Sequence, residues 1–199
     1  PPVLKGSHLI SLSDLSAEHL RQVLDLAKQL KAELKTGAPQ PRLLGKTLAM
    51  IFEKPSNRTR VSFEVGMFQL GGQAINLRPG DIQMDGRETV PDIASTLSRM
   101  VDGVMLRTFS HQTIVRFAQS ASVPVINGLS DFEHPCQALA DLLTIEEHFG
   151  EVSGVTVAYV GDGNNWAHSL MLAAAISGMP ANEPVSVISV VYRQSAMSR

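Results

Sequence analysis

Apolar positions along the chain follow two alternating rhythms. Leu20, Val23, Leu24, Ala27, Leu30 and Leu34 recur at three- and four-residue steps behind Ser16, an N-cap candidate with Glu18 in the first turn. That spacing predicts a helix stopped by Gly37, with Pro39 and Pro41 beyond it. Thr47 to Phe52 is instead a continuous apolar run, the pattern of a strand buried on both faces. Helical spacing resumes from about Thr59 to Leu70 and ends at Gly71-Gly72; Ala74 to Leu77 reads as a strand, and Arg78 to Thr89 as a polar loop. The cycle then repeats, with Val90 to Met100 helical, Gly103 to Leu106 extended, His111 to Ser120 helical and Pro124 to Ile126 extended. Pro135 suits the first turn of a longer helix, with Ala138, Leu142, Ile145 and Phe149 as its apolar stripe. Val155 to Val160 predicts a strand that runs through Gly161-Asp162-Gly163 into a helix over Trp166 to Ser177. A turn at Pro180 to Pro184 and a last strand at Val185 to Tyr192 complete the pattern.

Strands alternating with helices at this spacing imply an α/β fold, a parallel sheet flanked by helices and joined by right-handed crossovers. The expected organisation is one complete domain over residues 1–150, followed over residues 151–199 by the start of a second α/β domain that is cut short. The 44% hydrophobic and 18% charged composition fits a folded chain and excludes a disordered tail. A net charge of −2 gives no reason to expect a nucleic acid partner. No apolar run approaches the roughly 20 residues that a bilayer requires, and Pro1 to Lys5 lacks the design of a signal peptide. The single cysteine, Cys136, leaves no disulfide framework and no cysteine-rich zinc site, and the histidines show no metal spacing. A soluble, cytoplasmic protein without a metal is the expectation.

In a parallel α/β sheet, ligands collect at the carboxyl ends of the strands, where loops lead into helix N-termini. Unusual polar residues fall at four such junctions. Glu53 to Arg60 places Ser56, Asn57, Arg58, Thr59 and Arg60 at a helix start, where free N–H groups and the positive dipole end favour an anion and arginine adds a bidentate fork. An N-cap alone requires only Ser56, so the arginines favour an anion site. Arg107 closes a strand; taken alone it reads as a surface arginine. His134 and Gln137 stand one turn apart at the start of the next helix, and the residues leave a structural and a functional histidine equally open. Cys136, two residues from His134, points elsewhere on a helix, which argues against a Cys–His nucleophile. Gly161 to Asn165 resembles a dinucleotide loop only superficially, because Trp166 stands where the third glycine would be. Its asparagines suit a small zwitterion or an ordinary turn and cap.

Ser56-Asn57-Arg58-Thr59-Arg60 followed by Ser62-Phe63-Glu64, together with His134-Pro135-Cys136-Gln137-Ala138-Leu139-Ala140-Asp141, resembles the aspartate/ornithine carbamoyltransferase family. The resemblance runs from about Lys5 to Met179, and Asn127 to Asp131 with Gly161 to Asn165 bring it nearer the ornithine branch than the aspartate branch. It implies an enzyme that transfers the carbamoyl group of carbamoyl phosphate to ornithine, giving citrulline and phosphate in arginine biosynthesis, with no cofactor. Residues 1–150 would be the carbamoyl-phosphate-binding domain and residues 151–199 a truncated ornithine-binding domain. By the same resemblance Ser56, Asn57, Arg58 and Thr59 hold the phosphate, and Arg107 bridges phosphate and carbonyl oxygen. His134 and Gln137 take the carbamoyl end, with Thr59, Arg107 and His134 stabilising the oxyanion. Gln83 reaches a neighbouring subunit's site within a homotrimer, and Leu129 and Asn165 contact ornithine.

Two departures stand out. The family has threonine where this chain has Asn57, whose backbone N–H can still serve a phosphate. The family's remaining ornithine-binding residues lie beyond Arg199, and residues 181–199 do not resemble its continuation. A sister enzyme acting on aspartate, putrescine or an acylated ornithine is the nearest alternative. A non-catalytic module that binds carbamoyl phosphate or serves assembly is another, and an unstable fragment a third.

Overall fold

The structure, a computed structural model, describes residues 4–82, 84, 86, 88–177 and 187–188. Six α-helices follow one another as α1 (Ala17–Lys35), α2 (Asn57–Gln69), α3 (Val90–Leu97), α4 (His111–Ser120), α5 (Pro135–Phe149) and α6 (Asn165–Ile176). Between them lie β1 (Thr47–Phe52), β2 (Gln73–Leu77), β3 (Gly103–Arg107), β4 (Val125–Leu129), β5 (Tyr159–Val160) and β6 (Val187–Ile188). Strands β1 to β4 form one parallel sheet in the order β2-β1-β3-β4. Leu9 adds a bridge at the β4 edge, its N–H donating to Val125 and its carbonyl accepting from Asn127.

Alternation within β1 assigns its two faces. Ala49 and Ile51 join Val104, Leu106 and Val125 against Ile93, Ala94, Ile114 and Phe117 of α3 and α4. Leu48 and Met50 join Met105 on the opposite face, under Phe63 and Met67 of α2. The continuous apolar run of β1 is thereby explained, since both faces are covered. A separate cluster packs Leu20 and Leu24 of α1 against Ala138, Leu139 and Leu142 of α5 and Ala173 of α6.

Topology positions the site. The chain leaves β1 on one side to make β2, then crosses back over β1 to make β3. The reversal opens a crevice at the carboxyl ends of β1 and β3, the general place for ligands in open α/β sheets.

Helix starts follow the expected caps. Ser16 and Ser56 accept from backbone N–H groups three residues on, and Ser16 with His19 forms a reciprocal capping box. Several expectations are corrected. Helix α3 stops at Leu97 rather than Met100, with Ser98 as its C-cap. The buried stripe of α5 is Ala138, Leu139, Leu142 and Glu146, whereas Phe149 is exposed. Glu146 takes the inner position because Arg21 and Lys28 of α1 meet its carboxylate. Of the six-residue strand expected from Val155, only Tyr159 and Val160 form one, β5, which pairs in parallel with Val187 and Ile188 of β6. The turn at 180–184 and the rest of the last expected strand lie outside the described residues.

Candidate functional site

Helix α2 begins where β1 ends, so its free N-terminal N–H groups face the crevice. Ser56 caps it: its Oγ accepts from Thr59 N–H at 3.3 Å, and its hydroxyl pairs with Thr59 Oγ1 at 3.0 Å. Asn57 is the first helical residue, so it contributes a backbone N–H to this cluster. Arg107 ends β3 and donates from a terminal guanidinium nitrogen to Thr59 Oγ1 at 3.4 Å. The β1 and β3 loops are tied together by Glu53, whose N–H donates to the Arg107 carbonyl at 2.9 Å and whose carboxylate accepts from Phe109 N–H at 2.7 Å. Lys54 lies over the Phe109 ring, 4.7 Å from its centroid.

A bulge aims Arg107. Leu106 pairs with Asn127, but Arg107 pairs with Leu129, so Gly128 is the extra residue on β4. A Cβ at Gly128 would run into the Met105 side chain and would stand 3.2 Å from the Leu106 carbonyl, which explains the glycine. Sequence reading ended this strand at Ile126, whereas β4 runs on through the bulge to Leu129.

His134 is held from two directions. Glu133, fully buried, accepts from the Ser11 hydroxyl at 2.5 Å and from Leu12 N–H at 3.1 Å. This pins the N-terminal segment to the turn before α5. From α6, Ser169 Oγ accepts the His134 backbone N–H at 2.8 Å. Burial, reinforced by the nearby Arg107 charge and opposed by Asp141, depresses the His134 imidazole to about 4, so the ring is neutral at physiological pH. Arg107 is likewise lowered, by burial first and then by the Arg58 charge. Two guanidiniums and a neutral imidazole therefore share one region. Arg107 Nε and His134 Nδ1 are both buried without a hydrogen-bond partner among the described residues.

Gln137 sits one turn beyond His134 and donates to Asp141 at 3.0 Å. Asn165 opens α6 and donates to the Ser130 carbonyl at 2.5 Å. Leu129 is 9% exposed and pairs beside Arg107, with its carbonyl accepting Thr108 N–H. Cys136 is half-buried, donates to the Asn127 carbonyl at 3.5 Å, and has its thiol pushed up to about 12 by its surroundings, so it is inert as a nucleophile at neutral pH. Gln83 lies outside the described residues. Sequence reading gave no role to Glu53, Glu133, Asp141 or Ser169, which act through partners distant in sequence. No group of three or more potential metal ligands occurs among the described residues, and none of their helices is long and apolar enough to cross a membrane.

Residues 7–147 match the family described as aspartate/ornithine carbamoyltransferase, carbamoyl-P binding domain. The ornithine carbamoyltransferase of Carboxydothermus hydrogenoformans is 53% identical over 197 residues, covering 96% of this chain and 63% of that protein. That coverage leaves too few residues over to exclude all of 181–199, so similarity extends into a tail where none was expected. The protein of the same name from Anoxybacillus flavithermus is 56% identical over 176 residues, covering 88% and 56%. Among solved structures, ornithine carbamoyltransferase from Pyrococcus furiosus superposes with a TM-score of 0.84 at 55% identity, over 85% of this chain and 54% of that one. The chain spans between half and two thirds of the length of these relatives.

Proposed function

Because the chain belongs to the aspartate/ornithine carbamoyltransferase family, we propose that it binds carbamoyl phosphate in the crevice between β1 and β3 and serves transfer of the carbamoyl group to ornithine. The observation that carries this reading is the convergence of Arg58, Arg107 and the α2 N-terminus beside His134, with Arg107 Nε and His134 Nδ1 buried and unpartnered. Crowded like charges and unsatisfied polar atoms are costly unless an anion with further acceptors meets them.

In this reading Ser56, Asn57, Arg58 and Thr59 hold the phosphate, the backbone N–H of Asn57 serving in place of a hydroxyl. Arg107 spans phosphate and carbonyl oxygen. The neutral side-chain amine of ornithine attacks the carbonyl carbon, its nitrogen gives a proton to a phosphate oxygen, and the bond from carbon to the bridging oxygen breaks, releasing hydrogen phosphate. Charge that develops on the carbonyl oxygen is met by Thr59, Arg107 and His134, and charge on the departing phosphate by Arg58 and the helix N-terminus. A neutral His134 can hold an oxygen without offering a strongly acidic proton. Gln137 receives the carbamoyl nitrogen. Leu129, paired beside Arg107, and Asn165, which bonds the Ser130 carbonyl, serve the amino acid.

Residues 1–150 then form the carbamoyl phosphate domain and residues 151–199 the beginning of the ornithine domain. Ornithine is favoured over aspartate, putrescine or acylated ornithine because the relatives carry that substrate in their names. A relative from Pyrococcus furiosus is named anabolic, which supports citrulline formation for arginine biosynthesis. Assembly as a homotrimer is supported by α2, which packs Phe63 and Met67 on the sheet but exposes Val61, Val65 and Phe68.

Calorimetric titration of carbamoyl phosphate against inorganic phosphate tests the reading. Saturable binding tighter than phosphate is expected, and Arg58→Ala should weaken both anions about tenfold or more, the scale of a lost charge-assisted hydrogen bond. Unchanged affinity in Arg58→Ala would remove the assignment. A citrulline assay then decides whether binding leads to transfer.

A further inference from the structure

The proposed site is rich in donors and cations and poor in acceptors, yet the group that distinguishes carbamoyl phosphate from other acyl phosphates is an NH2, which needs an acceptor. Gln137 can provide one only if its carboxamide is turned the right way. Two residues that the preceding reading leaves unused control that orientation.

Asp141 lies one helical turn beyond Gln137 on α5 and accepts from Gln137 Nε2 at 3.0 Å. An ionised carboxylate only accepts, so it holds the NH2 end of the carboxamide and leaves the oxygen free. The second carboxylate oxygen accepts from the indole N–H of Trp166 at 2.8 Å. Trp166 comes from the first turn of α6, and its ring packs edge-on against Tyr159 with centroids 5.4 Å apart. Both carboxylate oxygens are thus engaged, one from each of two helices. The Asp141 charge is also felt at His134, which places it beside the candidate site.

We propose that Asp141 and Trp166 are a positioning pair that fixes the Gln137 carboxamide with its oxygen toward the carbamoyl NH2, and so sets selectivity for carbamoyl phosphate over acyl phosphates that lack the amine. This inference rests on the carbamoyl phosphate reading above. A site built to bond an N–H rejects the analogue that lacks it far better than a site that merely fits its shape.

Acetyl phosphate, which carries CH3 in place of NH2, is the probe. Affinities of the full chain for carbamoyl phosphate, acetyl phosphate and inorganic phosphate are measured by calorimetry in wild type, Trp166→Phe and Asp141→Asn. Both variants should lose about five- to tenfold in carbamoyl phosphate affinity, the scale of one hydrogen bond, while the other two ligands stay within about twofold. Trp166→Phe keeps an aromatic ring against Tyr159 and serves if Asp141→Asn fails to fold. Equal losses for all three ligands would mean a merely structural role and overturn the pair. So would an unchanged preference for carbamoyl over acetyl phosphate in both variants. A wild type with no such preference would overturn the carbamoyl phosphate reading and the pair with it.

Discussion

His134 shows how environment, rather than residue type, decides chemistry. An exposed histidine titrates near 6.5, whereas this imidazole is depressed to about 4 by burial and by the Arg107 charge. Between those two values the unfolded chain takes up a proton that the folded chain refuses. The contribution to stability is therefore held above about pH 6.5 and erodes as pH falls toward 4. An NMR titration of the His134 ring should give a midpoint near 4, with the neutral form persisting through pH 6; a midpoint near 6.5 would show that the ring is solvated. Gly128 makes the complementary point for backbone. Adding a methyl there forces β4 away from Met105 and Leu106, so Gly128→Ala should cost roughly 1–3 kcal/mol and weaken phosphate binding, because the bulge it supports directs Arg107. Urea unfolding and phosphate titration of the variant check both effects.

Among the elements, α1 and α5 are joined by a carboxylate instead of apolar packing alone. Glu146 is 7% exposed and meets Arg21 through two hydrogen bonds of 2.8 Å and Lys28 at 2.6 Å. The bonds from Arg21, helped by Lys28 and opposed by burial, hold its carboxyl below the usual carboxylate range. Its stabilisation is accordingly complete above that range and lost as pH falls through the depressed value. Glu146→Gln should destabilise the fold by roughly 1–2 kcal/mol at pH 7, since the cations it leaves behind are partly solvated. The gap to wild type should close as pH falls through the depressed value of the Glu146 carboxyl; a gap that persists in acid would mean that packing, not charge, holds the helices. The consequence reaches the site, because α5 carries His134 at its N-cap and Gln137 in its first turn.

The whole molecule leaves a helix unfinished. Val61, Val65 and Phe68 lie at 49%, 44% and 79% exposure on α2, next to Leu44 at 74%. An apolar row on the helix that also carries Ser56 to Thr59 is what an interface between copies would cover. If the homotrimer reading is right, sedimentation should give three times the 21.5 kDa chain mass. Phe68→Asp should then release single chains while leaving the buried sheet intact. A wild type that sediments as a single chain would remove the trimer.

The sequence by itself determined the local elements and the residue types at each junction. Caps at Ser16 and Ser56, the two-faced burial of β1 and the polar clusters at strand ends are local consequences of spacing and side-chain chemistry, so they could be read before any fold was known. The motifs from Ser56 and from His134 carried the family resemblance in the same way. Tertiary structure alone decided what those residues meet. That Arg107 lies beside Thr59 depends on the chain reversing across β1, and its aim depends on the Gly128 bulge, which arises only where β3 and β4 pair. Glu146 occupies a core position because Arg21, more than a hundred residues away, neutralises it, and no periodicity could show that. Hydrogen-bond and charge partners that are distant in sequence are set by topology, and topology is where the chemistry of this site was assembled.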